Sequence, residues 1–157
     1  LVVSEIGIRD RKRQGPQLDG VSILAADDME VNRFILDDLL VHEGAKVTFA
    51  EDGQQVLGII SEKGAMAFDV ILMDIQMPGL DGYEATRRLL RQAPNLPVIG
   101  LTAHALDEER DKCLQAGMVE HVTKPIDERR LISTILKHIE KPVEITLNHY
   151  QVRSQSC

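Results

Sequence analysis

The sequence predicts an α/β fold in which five parallel strands form one sheet covered by five helices. Short apolar runs alternate with longer segments of helical periodicity from residue 21 to about residue 140. The third run, residues 68–73, is nearly all apolar, as expected for a strand covered by helices on both faces. Strict alternation requires parallel strands joined by right-handed crossovers. The predicted architecture is therefore a doubly wound α/β sandwich.

The individual elements are predicted from apolar runs, helical spacing and capping residues. Apolar runs predict strands at residues 21–26, 45–50, 68–73, 98–101 and 119–123. Helices are predicted after each strand, ending near His42, Lys63, Gln92, Ala116 and Glu140. The first is predicted from the helical spacing of Val31, Phe34, Ile35 and Leu39, and the last from an apolar face that includes Ile139. Candidate N-caps are Asp28, Asp52, Asp81 and Asp127, with Thr102 as a candidate in a longer loop.

One domain is expected, because 157 residues are too few for two ordinary ones. We place this domain at residues 21–140. Residues 1–20 show no sustained period and carry a basic cluster, Arg9, Arg11, Lys12 and Arg13, beside Gly15 and Pro16. They are interpreted as a linker or a remnant of an upstream domain, and residues 141–157 as a poorly ordered tail.

Charge and composition limit the classes of partner. Residues 21–140 contain 21 acidic and 12 basic side chains, a balance of −9, and 3% of the chain is aromatic. This argues against a nucleic-acid surface and favours a divalent cation as partner. No apolar run is long enough for a membrane span or a signal peptide, and two cysteines give no disulfide framework. We therefore expect a cytoplasmic domain that makes no membrane contact.

Polar residues terminate the apolar runs, and parallel strands bring those ends to one edge of the sheet. Asp27 and Asp28 follow the first run, and Asp74 follows the third. Thr102 and Lys124 follow the fourth and fifth. In the flavodoxin-like strand order 2-1-3-4-5 the first and third strands are neighbours, so the three carboxylates meet in one pocket.

Three crowded carboxylates need a cation to remain ionised together. Mg²⁺ suits them, because it prefers oxygen ligands and retains waters that a phosphate can replace. An ionised aspartate can attack phosphorus without a general base, and a metal ion, an ammonium group and a hydroxyl then stabilise the phosphoryl oxygens.

Taken together, these residues resemble the receiver domain of two-component signalling proteins. The matching segments are ILAADD, MDIQMPGLDGYEA, GLTAHA and HVTKPI, spread over about residues 21–140. The amino-acid sequence around Asp74 and Thr102 is most similar to that of receivers joined to hybrid sensor histidine kinases.

The resemblance implies a role for each matched position. Asp74 would accept a phosphoryl group from phosphohistidine, and Mg²⁺, or Mn²⁺ in its place, would be held by Asp27, Asp28, Asp74 and the main-chain carbonyl of Gln76. Thr102, Ala103 and Lys124 would bind the phosphoryl oxygens, and the bond before Pro125 would often be cis. His121 stands where family members often have Tyr or Phe, the signalling switch.

Gln76 and His104 lie two residues after Asp74 and Thr102, near the approach of a hydrolytic water. They either set the lifetime of the acyl phosphate or are plain rim residues.

The predicted function is that of a phosphoacceptor that changes the face around the fourth helix, the fifth strand and the fifth helix. Its partner would be a histidine kinase core or a histidine phosphotransfer domain, and it would be a monomer or weak dimer. Part of a hybrid kinase is the favoured context. The alternatives are a stand-alone response regulator, an aspartyl-phosphate phosphatase, and a receiver-shaped binding module that does not use its acceptor. No output domain is predicted in the segments that flank the core.

Overall fold

The computed structural model describes residues 15–139 of the chain. Its elements alternate as predicted. The strands are β1 (Ser22–Ala26), β2 (Lys46–Ala50), β3 (Val70–Asp74), β4 (Val98–Thr102) and β5 (Glu120–Thr123). The helices are α1 (Glu30–His42), α2 (Gly53–Lys63), α3 (Gly82–Gln92), α4 (Asp107–Ala116) and α5 (Glu128–His138), and a 3₁₀ turn (Ala65–Ala67) precedes β3.

All four strand pairings are parallel, and the sheet has the order β2-β1-β3-β4-β5. This confirms the predicted flavodoxin-like doubly wound sandwich. Strand β3 lies at the centre with all five residues buried, because helices cover both of its faces.

Two apolar layers hold the helices to the sheet. One layer joins α1 and α5 to one face through residues such as Leu36 and Ile135. The other joins α2, α3 and α4 to the opposite face through residues such as Ile60, Leu89 and Cys113. The carboxyl edge of the sheet therefore lies between the two layers.

The cap predictions were correct for three helices and wrong for the first and the fourth. The side chains of Asp52, Asp81 and Asp127 each accept a backbone N–H three residues on, at 2.8, 2.9 and 3.2 Å. Asp28 is not a cap, because α1 begins one residue later and its N-cap is Met29. Nor is Thr102, since it is the last residue of β4 and Leu106 is the N-cap of α4.

The apolar face of α1 differs from the simplest interpretation of its spacing. Leu36 and Leu40 are the buried residues of the helix, whereas Val31, Phe34 and Ile35 are exposed. The helix carries apolar residues on more than one stripe, and spacing alone does not identify the stripe that faces the sheet. An apolar surface is thus left uncovered beside the carboxyl edge.

The packed unit also includes residues before Val21. Leu18 is fully buried in the α1/α5 layer, and its backbone N–H donates to the Glu43 carbonyl at 2.9 Å. At the other end α5 stops at His138, so Ile139 follows the helix, although it still packs against this layer. The basic cluster at residues 9–13, Glu140 and the predicted tail lie outside the described residues. Within residues 15–139, no helix is long and apolar enough to cross a membrane.

Candidate functional site

The sheet brings the predicted acidic residues together at its carboxyl edge. Asp27 follows β1 directly, and Asp74 is the last residue of the neighbouring strand β3. One carboxylate oxygen from each of Asp27, Asp28 and Asp74 lies within 4.8 Å of the others. The structure therefore confirms that residues separated by almost fifty positions in sequence form one cluster.

Asp27 makes hydrogen bonds through both carboxylate oxygens, its backbone N–H and its carbonyl. Its side chain is buried, and Oδ1 accepts hydrogen bonds from the Met29 backbone N–H at 3.0 Å and from Asn32 Nδ2 at 3.2 Å. Its Oδ2 accepts from Lys124 Nζ at 3.1 Å. The main chain is fixed as well, because its N–H donates to Ala50 O at 3.1 Å and its carbonyl accepts from Arg33 Nη1 at 2.7 Å.

Asp74 is 4% exposed and extends β3 by one residue beyond the predicted end. The extension arises because its backbone pairs with Leu101 of β4. Burial raises the pKa of Asp74 to about 6; the Asp27 carboxylate adds to the rise, and Lys124 opposes it. One carboxylate oxygen accepts the Gln76 backbone N–H at 3.3 Å. The group is mostly ionised at neutral pH yet poorly solvated.

Lys124 is the described cation in contact with both buried acids. Its Nζ lies 3.1 Å from Asp27 Oδ2 and 3.3 Å from Asp74 Oδ1. The backbone places it by pairing, since its N–H donates to Thr102 O at 2.7 Å directly after β5. The Lys124–Pro125 peptide bond is cis, in agreement with the family resemblance. The ammonium group thus balances part of the charge that Asp27 and Asp74 bring into the pocket.

Thr102 reaches the edge, but its hydroxyl is turned to its own loop. The residue is 1% exposed, and Oγ1 donates to the His104 carbonyl at 3.0 Å. Ala103 and His104 are exposed in the loop between β4 and α4. The hydroxyl would have to exchange the carbonyl of His104 for any ligand bound at Asp74.

The loop after β3 forms the open side of the pocket. Asp28 and Gln76 are exposed and line a surface groove of about 590 Å³ with Met77, Pro78 and Asp81. Gly82 allows the start of α3 to approach β3, because a Cβ there would overlap the Asp74 carbonyl, and its N–H donates to Ile75 O at 2.9 Å. The contact described for Gln76 is its backbone N–H, so its carbonyl as a metal ligand stays a prediction.

His121 lies away from the cluster, in the second position of β5. It pairs with Gly100 of β4, and a Cβ at Gly100 would meet Met118 and Cys113, so this register position faces the α4 side. The residue is partly buried. It is therefore placed between the sheet edge and α4, and its switching role stays a prediction.

Two residues of the site were not predicted. Asn32 and Arg33 lie in the first turn of α1 and hold the carboxylate and the carbonyl of Asp27, respectively. No sequence signal marks these contacts, because a polar pair in the first turn of a helix is ordinary. These contacts can be recognised only once the packing of α1 against the end of β1 is known.

The donor set fits a magnesium ion. Three carboxylates converge on one point, one of them exposed and two buried, and oxygen-only sites with room for water are the type that Mg²⁺ occupies. Lys124 balances part of the negative charge of Asp27 and Asp74, so a divalent ion would balance charge that the lysine leaves uncompensated.

Comparison with known proteins agrees with this geometry. The model for the "Response regulator receiver domain" family matches residues 23–136. The sensor protein GacS of Pseudomonas syringae pv. syringae is 38% identical over 130 residues, a match that covers 78% of this chain and 14% of GacS. The chain thus spans about a seventh of that relative's length.

Two solved structures are informative. The receiver domain of sensor histidine kinase PA1611 from Pseudomonas aeruginosa, with a magnesium ion coordinated in its active-site cleft, is 36% identical with a TM-score of 0.69, covering 76% of this chain and 97% of that one. The receiver domain of Ssk1 from Saccharomyces cerevisiae, crystallised with the histidine phosphotransfer protein Ypd1, is 25% identical with a TM-score of 0.69, covering 77% and 90%. With a family match across most of its length and an acidic pocket at the expected edge, this chain belongs to the response regulator receiver domains of two-component phosphorelays.

Proposed function

We propose that this domain accepts a phosphoryl group on Asp74 from a phosphohistidine. The observation that carries the proposal is the placement of Asp74, a buried acid whose carboxylate is paired with Lys124, beside Asp27 and the exposed Asp28. Asp27, Asp28, Asp74 and the Gln76 carbonyl would hold Mg²⁺, with Mn²⁺ as a substitute. The magnesium-bound receiver of PA1611 supports this assignment by similarity.

The transfer itself needs no general base. With its pKa raised to about 6, Asp74 is roughly nine-tenths ionised at pH 7. A carboxylate oxygen of Asp74 forms the new P–O bond while the P–N bond to the donor imidazole breaks, and that nitrogen keeps the electron pair and takes up a proton. When bound, Mg²⁺ supplies positive charge to the phosphoryl oxygens. Lys124 supplies a second positive charge beside the Asp74 carboxylate.

The product state changes the contacts of Thr102 and Lys124. The phosphoryl group adds roughly −1.5 to −2 charge at pH 7, and the Thr102 hydroxyl turns from the His104 carbonyl toward it, assisted by the Ala103 N–H. The β4–α4 loop follows Thr102. The surface formed by α4, β5 and α5, including His121, then changes and carries the signal.

The phosphodonor would dock on the uncovered face of α1. Met29, Val31, Phe34 and Ile35 are exposed there, Phe34 by 69%. Ile35 also lines an apolar cavity of about 110 Å³ that reaches Asp27 and Lys124. An apolar surface this close to the acceptor suits a helical partner that presents a histidine, a histidine kinase core or a phosphotransfer domain, and the Ssk1 complex with Ypd1 supports this class of partner.

The parent protein is proposed to be a hybrid sensor histidine kinase in the cytoplasm or anchored to the inner membrane. Support comes from the GacS match. A stand-alone response regulator is the alternative. We propose a monomer or weak dimer without nucleic-acid binding.

Incubation with acetyl phosphate and Mg²⁺, followed by mass-spectrometric peptide mapping, tests the acceptor. The expected result is a labile phosphoryl adduct on Asp74 that requires Mg²⁺ and is lost in Asp74→Asn. Asp81→Asn is the matched control, because Asp81 lies in the same loop and caps α3. An adduct that persists in Asp74→Asn at wild-type yield would overturn the proposal.

A further inference from the structure

Asp27 and Asp28 are adjacent in sequence but are held very differently. Asp28 is exposed at the rim, whereas Asp27 is buried and bonded through both carboxylate oxygens, its amide and its carbonyl. The Oδ1 of Asp27 is bound from the α1 side, whereas Oδ2 faces the pocket.

We propose that Asn32 is a positioning residue for the metal site, acting through Oδ1 of Asp27. The inference rests on the proposed function, in which Asp27 holds Mg²⁺. The Met29 N–H comes from the same short loop as Asp27 and alone would let the carboxylate plane rotate about its own hydrogen bond. The amide of Asn32 binds the same oxygen from the first turn of α1, so two donors from different backbone segments define the plane.

The chemical type of the residue suits the task. A neutral amide satisfies Oδ1 without adding positive charge, so it does not compete with a cation for the carboxylate as a lysine would. The cation that contacts the carboxylate of Asp27, Lys124, binds the other oxygen. Among the contacts described for this carboxylate, the positive charge therefore comes from the side that faces Asp74.

Arg33 fixes the main chain of the same residue. Its Nη1 donates to the Asp27 carbonyl at 2.7 Å, so consecutive residues of α1 hold the carboxylate and the backbone. Asn32 also lines the 110 Å³ apolar cavity beside Ile35 and Leu36. Its side chain can therefore be shortened next to existing space without disturbing a packed layer.

A purely structural role makes a different prediction. The N-cap of α1, Met29, makes no side-chain cap hydrogen bond, so the Asn32 amide could serve only to stabilise the start of the helix. In that case Asn32→Ala would lower the melting temperature and leave the affinity for Mg²⁺ unchanged. A positioning role instead requires that the affinity for Mg²⁺ falls, whether or not the melting temperature changes.

The experiment is a Mg²⁺ titration of the unphosphorylated domain, followed by ¹⁵N–¹H NMR shifts at the pocket. For Asn32→Ala we expect a dissociation constant raised about tenfold, and for the control Gln54→Ala, an exposed amide in the first turn of α2, a value within about twofold of wild type. Asp74 labelling of Asn32→Ala should return to the wild-type level at saturating Mg²⁺.

Asn32→Ser is measured in parallel, because a serine hydroxyl is too short to replace the amide and the criterion is the same if the alanine variant does not fold. A Mg²⁺ affinity within about twofold of wild type in the folded variant would overturn the positioning role. A wild-type domain that binds no Mg²⁺, or takes no label on Asp74, would instead refute the proposed function. The two failures are therefore distinguishable.

Discussion

The acidic pocket has a buried half and an exposed half, and the two are built differently. Asp27, Asp74 and Lys124 are held by hydrogen bonds and ion pairs at 3.0–3.3 Å between the two apolar layers. Asp28 and Gln76 lie at the rim, facing a groove. The buried half fixes charges that a reaction needs in place, whereas the exposed half leaves room for a donor protein and for water. Changes in the buried half should therefore alter stability and chemistry together, and changes at the rim should alter chemistry alone.

The largest effect on stability is expected for Lys124→Met. Removing the ammonium group leaves two buried carboxylates without their cation, which should lower the free energy of unfolding by about 3 kcal/mol at pH 7. Urea denaturation measures the change, and added Mg²⁺ should restore part of it. Lys137→Met is the control, because Lys137 pairs with Glu120 at the surface and should cost less than about 1 kcal/mol. Equal losses in the two variants would show that the buried half is not electrostatically distinct.

A smaller effect is expected from the ionisation of Asp74. The pKa is about 6 in the folded chain, against about 3.9 in an unfolded one. The folded state binds this proton more tightly, so the stabilisation is fully present below pH 4 and is lost as pH rises through 6. In metal-free buffer the free energy of unfolding should fall by about 2 kcal/mol over this window.

Asp74→Asn supplies the reference for that measurement. Denaturation curves at a series of pH values should show the decline in wild type and its absence in the variant, which should be the more stable protein at pH 7. An identical pH dependence in both would mean that Asp74 titrates normally.

Asp28→Ala separates chemistry from stability at the rim. Because Asp28 does not cap α1, its loss should change the free energy of unfolding by less than about 0.5 kcal/mol. Mg²⁺ affinity should nevertheless fall by about tenfold or more, since a carboxylate is removed from the cluster. Asp52→Ala is the converse control, with a lost cap costing about 1 kcal/mol and Mg²⁺ affinity unchanged. Isothermal titration and chemical denaturation of both variants test this assignment. A large loss of stability in Asp28→Ala, or a weakened Mg²⁺ affinity in Asp52→Ala, would contradict it.

The smallest effects should come from Gln76 and His104. Both are exposed, and substitution by alanine should leave stability within about 0.5 kcal/mol of wild type. If they guide the hydrolytic water, the decay rate of the acyl phosphate should change several-fold, on the order of 1 kcal/mol in activation free energy. The decay of labelled protein after removal of the donor gives this rate. Unchanged decay in both variants would identify them as plain rim residues.

The sequence predicted the fold well because its signals are periodic and local. Short apolar strand runs, helix spacing and the glycine stops set element type and order, and the parallel arrangement of the strands then determined where Asp27 and Asp74 meet. Boundaries were missed by one or two residues where tertiary pairing decides them, as at Asp74, which pairs with Leu101.

Side-chain contacts were harder to predict from the sequence than the fold. The spacing of Val31, Phe34 and Ile35 identified a helix but not the stripe that packs, because Leu36 and Leu40 take that place. The bonds from Asn32 and Arg33 to Asp27 depend on how α1 approaches the end of β1 and on rotamers that no sequence period encodes. The turned hydroxyl of Thr102 is of the same kind. Residue types at the site could thus be predicted, but not how each is held.

Transfer of a phosphoryl group from a phosphohistidine protein is the most direct test of Asp74 as the acceptor. A histidine phosphotransfer domain carrying labelled phosphate is mixed with the domain and Mg²⁺, and the product is divided into portions with and without hydroxylamine. If Asp74 is the acceptor, we expect rapid labelling that hydroxylamine removes, as for an acyl phosphate, and that Asp74→Asn abolishes. Label that resists hydroxylamine, or that Asp74→Asn retains at the wild-type level, would contradict it.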